Sequence, residues 1–117
     1  MSASPFAHAL DLITHVRGVR GAMVVARVDG LVVAEQLMEG IKGGAVAALA
    51  ASLTGRLQRA MVTAGLGPSQ FWHLQCDQGA LLVVPAADSL LVVAITEPEV
   101  NVGLVRLELL RAAEAAG

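Results

Sequence analysis

Few side chains in this sequence are able to do chemistry, and their spacing limits what they can do together. Three histidines, His8, His15 and His73, and the single cysteine, Cys76, are the first candidates for a metal site. None falls in an H-x-x-x-H or C-x-x-C frame. His73 and Cys76 are three apart on a predicted strand, where side chains alternate, so they point to opposite faces. The expectation is a solvent-facing histidine, a packed cysteine and no metal. Gly40-Ile41-Lys42-Gly43-Gly44 is glycine-rich and leads into a helix. It lacks the G-x-x-x-x-G-K-[ST] order that brings amides and a lysine onto phosphates together, so it reads as a connector. Ser52 and Ser69 stand outside any G-x-S-x-G frame. Glu97 and Glu99 are explained by helix capping and the helix dipole. These residues predict neither an enzyme nor a bound cofactor.

The elements that would position them divide by period. Ser4-Pro5 reads as the cap and first turn of a helix carrying Phe6, Ala9, Leu10, Ile13 and Val16 on one face, ending near Gly18. Runs at 21–27 and 31–36 flank Val28-Asp29-Gly30, a hairpin signal. The longest helix is expected at 45–64, stopped by Gly65-Leu66-Gly67-Pro68. Strands follow at 70–76, 80–84 and 90–95, the first two joined at Asp77-Gln78-Gly79 and the last preceded by a Pro85–Asp88 loop. Leu81-Leu82-Val83-Val84 and Leu90-Leu91-Val92-Val93-Ala94 are apolar throughout, which predicts central strands with helices on both sheet faces. Thr96-Glu97-Pro98-Glu99 fits a capping box for a last helix marked by Val100, Leu104, Leu107 and Leu110. The order is αββαβββα, an α+β fold with a largely antiparallel sheet.

Composition narrows the function classes. The 117 residues suit one domain, taken as 1–117. They are 56% hydrophobic, more than so small a chain can hide internally, so part of that surface is expected to meet another chain. A net charge of −2 with 3% aromatics lacks the basic face and stacking rings of a nucleic-acid binder. Mean hydropathy is +0.67, yet no apolar run reaches the roughly 20 residues of a membrane span, so no direct membrane insertion is expected. Met1–Pro5 shows no basic and apolar leader pattern. The lone cysteine suits a reducing compartment, and the expected location is cytoplasmic.

The long helix is unusual in having two non-polar faces. Val46, Leu49, Ala50, Leu53, Leu57, Ala60 and Ala64 read as its core stripe. Opposite lie Ala47, Ala48, Ala51, Ser52, Gly55, Gln58, Arg59 and Val62, small where a solvent face would be charged. Gly55 costs about 1 kcal/mol against alanine in a helix, and small side chains let another helix approach closely. This face, with Phe71, His73 and Gln75 of the 70–76 strand at a predicted sheet edge, is the candidate interface, first with a second copy of the chain.

Gly18-Val19-Arg20-Gly21-Ala22-Met23-Val24-Val25 leading into the Asp29-Gly30-Leu31-Val32 hairpin, and the closing run from Asn101-Val102-Gly103-Leu104 to Leu109, resemble the roadblock family (roadblock/dynein light chain) over about Leu10 to Ala115. The resemblance implies a five-stranded antiparallel sheet with the long helix on one face and the terminal helices on the other. It implies a homodimer formed through the long helix and the strand after it. It further implies a Ras-like small GTPase as partner, since bacterial members of the mutual-gliding type bind the GTP form and promote hydrolysis. They do so by rearranging the GTPase's own residues, so Arg56 and Arg59 are assigned no arginine-finger role. A dimeric scaffold or adaptor in a signalling or motor complex, without effect on nucleotide turnover, is the alternative.

Overall fold

The computed structural model describes residues 5–87 and 89–116. In chain order the elements are α1 (Ala7–Thr14), β1 (Val19–Ala26), β2 (Val32–Leu37), α2 (Gly43–Thr63), β3 (Trp72–Cys76), β4 (Gly79–Ala86), β5 (Leu90–Thr96) and α3 (Val102–Ala116). The αββαβββα order holds. The strands form one sheet in the order β2-β1-β5-β4-β3, every neighbouring pair antiparallel.

Both hairpins form where their turn residues stand. Gly30 adopts φ +72°, its amide bonds Ala26 O, and Leu31 N–H bonds the Asp29 carboxylate at 3.2 Å. At the second turn Cys76 pairs with Gly79. A Cβ on Gly79 would sit 2.7 Å from the Thr96 carbonyl oxygen, so only glycine lets β4 pass this close to the end of β5.

Side-chain alternation splits the interior into two cores. Ala22, Val24, Leu82, Val84, Val92 and Ala94 face α1 and α3; Met23, Val25, Val83, Leu91 and Val93 face α2. The first helix buries Ala9, Leu10 and Ile13 as its period predicts, but it ends at Thr14 rather than near Gly18, and Val16 is buried in the turn that follows. α3 does not follow its predicted stripe. Val105, Leu109 and Ala112 turn inward, whereas Leu104, Leu107 and Leu110 are exposed. Leucines occupy both sides of this helix, so period alone does not choose the buried one.

Most boundaries shift by one or two residues from the sequence reading, α2 to Gly43–Thr63 and β3 to Trp72–Cys76 among them, and others differ in kind. α1 begins at Ala7 behind Phe6, which supplies no side-chain cap; Ser4 lies outside the described residues, as does Asp88. Pro85 and Ala86 belong to β4 and pair with Leu91 and Leu90. β3 runs out at Trp72 opposite Val83, so the missing N–H of Pro85 falls where β4 has no β3 neighbour. The capping box is also absent. Thr96 pairs with both Val19 and Ala80 as the last residue of β5, and sheet pairing on two sides outweighs a cap. Asn101 caps α3 instead, its Oδ1 accepting the Leu104 amide at 3.0 Å.

This predicts that Asn101→Ala lowers unfolding free energy by about 1 kcal/mol, whereas Glu99→Ala stays within about 0.5 kcal/mol of wild type. Urea denaturation of the two variants measures both.

Candidate functional site

One helix is too narrow for the face it covers. Five strands at about 4.8 Å spacing put the outer two roughly 19 Å apart, and a helix with its side chains is about 10 Å wide. The far face has two helices, α1 and α3. The near face has α2 alone, which lies most closely over β1, β2 and β5; Trp72 and Val83 are buried in one cluster with Ala47 and Ala50, while Leu81 and Ile95 are only partly buried against it. A cleft of about 220 Å³ runs along the step beside α2, walled by Val46 and Leu49 of α2 and floored by Leu81 and Ile95. Arg20 closes one end, and Cys76 and Gln78 line the hairpin side. The cysteine is exposed, not packed as its sequence context suggests.

The two faces of α2 are disposed otherwise than its sequence suggests. Ala47 and Ala50 are fully buried, Ala51 nearly so, and Leu49 is 56% exposed. Small residues face the sheet because the strands already fill the space with Met23, Val25, Leu91 and Val93, and close packing leaves room only for alanine on the helix. Ala60 and Ala64, read as core, are exposed. The β1–β2 turn also presses on the helix: a Cβ on Gly30 would lie 3.0 Å from Ala48 Cα and 3.4 Å from Ala51 Cβ. Ala47 and Ala51 therefore face this chain's own core and are not free to meet another.

The other expected interface residues fall into three places. Ala48, Ser52, Arg59 and Val62 are exposed along α2. Gly55 is half-buried, and a Cβ there would meet only the Arg59 guanidinium, at 3.6 Å. Gln58 has a structural task, since its Oε1 accepts the Ser69 amide at 3.1 Å and ties α2 to the approach of β3. Phe71, His73 and Gln75 are on the α3 side. Phe71 lies under the Arg106 guanidinium, 5.2 Å from ring centre; His73 Nε2 is 3.2 Å from Gln75 Oε1; Gln75 donates to Pro98 O. Alternation brings Trp72, Leu74 and Cys76 to the α2 side instead. Both sets share the outer backbone edge of β3, which pairs with β4 alone.

Leu81 and Ile95 were hidden from sequence reasoning because apolar strands read as covered strands. The signal that could have found them is the element count: one long helix against five strands. The site offers burial and hydrogen-bonding edge, not chemistry. Among the described residues no group of three His, Cys, Asp or Glu converges, and Arg20, Arg56 and Arg59 form no ion pair. Among the described residues the buried indole N–H of Trp72 finds no acceptor. No described helix is long and apolar enough to cross a membrane.

Residues 6–95 match the model of the Roadblock/LC7 domain. The chain belongs to the Roadblock/LC7 family. An uncharacterized protein of Methanocaldococcus jannaschii is 37% identical over 97 residues, 83% of each chain. Among solved structures, MglB in a tetrameric arrangement superposes with TM-score 0.85 at 25% identity, covering 98% of this chain and 89% of that one. The gliding protein MglB from Thermus thermophilus gives TM-score 0.84 at 23% identity, covering 98% and 90%. The roadblock architecture of this chain is thereby plain.

Because Ala47 has no free space around it, Ala47→Leu is expected to cost about 1–3 kcal/mol through overpacking. Leu49→Ala, at an exposed position, should change the stability of the isolated chain by less than about 0.5 kcal/mol. Thermal or urea unfolding at a concentration low enough to keep the chain monomeric reads both.

Proposed function

We propose that the chain, working as one roadblock domain over 1–117, is a non-catalytic homodimer that regulates a Ras-like small GTPase in the cytoplasm, either by activating hydrolysis or as an effector. The observation that carries the dimer is the apolar step beside α2. A second copy has an α2 with exposed Leu49 to lay along it. The unpaired edge of β3, with Phe71, His73 and Gln75 on one side of it, would meet the same edge of the second copy and join two sheets into one. Burying one leucine-sized side chain contributes about 1.5–3 kcal/mol, so a symmetric pair of Leu49 residues is a useful part of such an interface.

The outer ridge of α2 then remains for another protein. Ala48 and Ser52 are small enough for close approach. Gly55, Arg59 and Val62 continue that ridge, with Arg59 unpaired. Likeness to the gliding protein MglB supports a small GTPase as the partner. The absence of convergent reactive groups among the described residues favours a regulator that acts through contact rather than through its own chemistry.

Light scattering is expected to give twice the 12.0 kDa chain mass for wild type and the single mass for Leu49→Glu, which would bury an unpaired charge. An unchanged mass for the variant would remove the step beside α2 from the interface. In lysate pull-downs with the chain as bait, a small GTPase should be retained with a GTP analogue and released with GDP. Partners retained regardless of nucleotide would support a dimeric scaffold instead.

A further inference from the structure

The cleft beside α2 is bordered by one charged side chain, and a fault in the sheet puts it there. Opposite β5, Val19 pairs with Thr96 and Gly21 with Ile95, so Arg20 is the extra residue of a β-bulge. Strict alternation from Ala22 and Val24 would send Arg20 toward α1 and Val19 toward α2. The bulge reverses this. Val19 is buried in the α1–α3 core, and Arg20 borders the cleft together with Val46 and Leu49. Re-aiming a side chain is a recurrent use of bulges.

Among the described residues Arg20 forms no ion pair. Asp77 and Glu97 adjoin lining residues in sequence, and neither pairs with it. A second copy does not bring the missing anion through the interface proposed above. Residues 43–76, which include all of α2 and β3, hold no Asp or Glu. The rest of the cleft is nearly all hydrocarbon, floored by Leu81 and Ile95. It is also short, running from Arg20 to the β3–β4 hairpin at Cys76. An apolar cavity of about 150 Å³ takes one benzene. At about 220 Å³ the cleft takes an aliphatic group of about eight carbons on the same scale.

We propose that this cleft binds a medium-chain aliphatic carboxylate, its chain on Leu81 and Ile95 and its head on the Arg20 guanidinium at the mouth. Arginine suits this place because its methylenes lie along apolar walls while its charged end stays in water. Its fork of N–H donors matches the two oxygens of a carboxylate. The site is defined by Arg20 and the cleft alone. One consequence rests on the homodimer reading: the second copy's α2 would occupy the same cleft, so ligand and second copy compete.

Cys76 is exposed on the cleft wall, so its alkylation by iodoacetamide reports occupancy at protein concentrations low enough to keep the chain monomeric. Octanoate is expected to slow alkylation saturably. Arg20→Gln should need about tenfold more octanoate for the same protection, the size of effect a charged hydrogen bond carries. Octanol should protect both proteins alike, and acetate neither. Octyltrimethylammonium, the same chain with the opposite charge, should protect wild type less than octanol does, an arm that needs no variant. Alkylation unslowed by octanoate, or equal protection of wild type and an Arg20→Gln shown by circular dichroism to be folded, would overturn the proposal. Light scattering at higher concentration separates the two readings, since octanoate is expected to halve the mass of the dimer. Protection of Cys76 with a dimer mass that octanoate leaves unchanged, or with a single-chain mass throughout, upholds the site and removes the second copy from the cleft.

Discussion

The width of a single helix is the constraint from which most of this architecture follows. A five-stranded sheet needs two helices to cover a face, and the chain supplies two on one side and one on the other. Leu81 and Ile95, on the α2 side of β4 and β5, are nevertheless apolar and only partly buried. Water therefore meets hydrocarbon along the cleft beside α2. Closing that cleft within one chain would take another helix; closing it with a second copy takes none. The hydrophobic excess in the composition is the same fact seen as a percentage.

That constraint also governs how α2 is oriented. A helix seated over a face of bulky side chains settles close only if its own inward residues are small, and Ala47, Ala50 and Ala51 meet this condition against Met23, Val25, Leu91 and Val93. Thr54, the one buried polar residue of α2, donates its hydroxyl to Ala50 O at 2.7 Å, so it enters the core without an unmet hydrogen bond. With the small residues inside, the larger ones, Leu49 foremost, project outward over the cleft. Partner-facing hydrophobicity here results from inward close packing rather than from a separately added patch.

α3 repeats the pattern on the other face with a different outcome. Val105 and Leu109 are wholly buried, and Leu104, Leu107 and Leu110 are left outside. The two helical faces thus present different surfaces to their surroundings: an apolar cleft beside α2, and exposed leucines along α3.

The element order, both hairpin turns, the antiparallel sheet and the inward face of α1 were legible in the sequence. They rest on local rules: turn glycines at Asp29-Gly30 and Gly79, helical period in Phe6–Val16, and unbroken apolar runs in β4 and β5. The family resemblance rested on Gly18–Val25, the Asp29-Gly30-Leu31-Val32 hairpin and the Asn101–Leu109 run. What the sequence left undetermined was every choice between two acceptable local answers. α2 and α3 each carry two apolar stripes, and only packing against a particular sheet face chose Ala47 over Leu49 and Leu109 over Leu107. Thr96 and Asn101 are both good cap residues, and the pairing of β5 with two strands at Thr96 decided between them. His73 and Cys76 were assigned to opposite faces by alternation, but that Cys76 borders an open cleft depended on where α2 came to rest. Local sequence determines which elements form because their hydrogen bonds and turns close within a few residues; which side of an element is buried is decided by volume and coverage, which belong only to the assembled sheet.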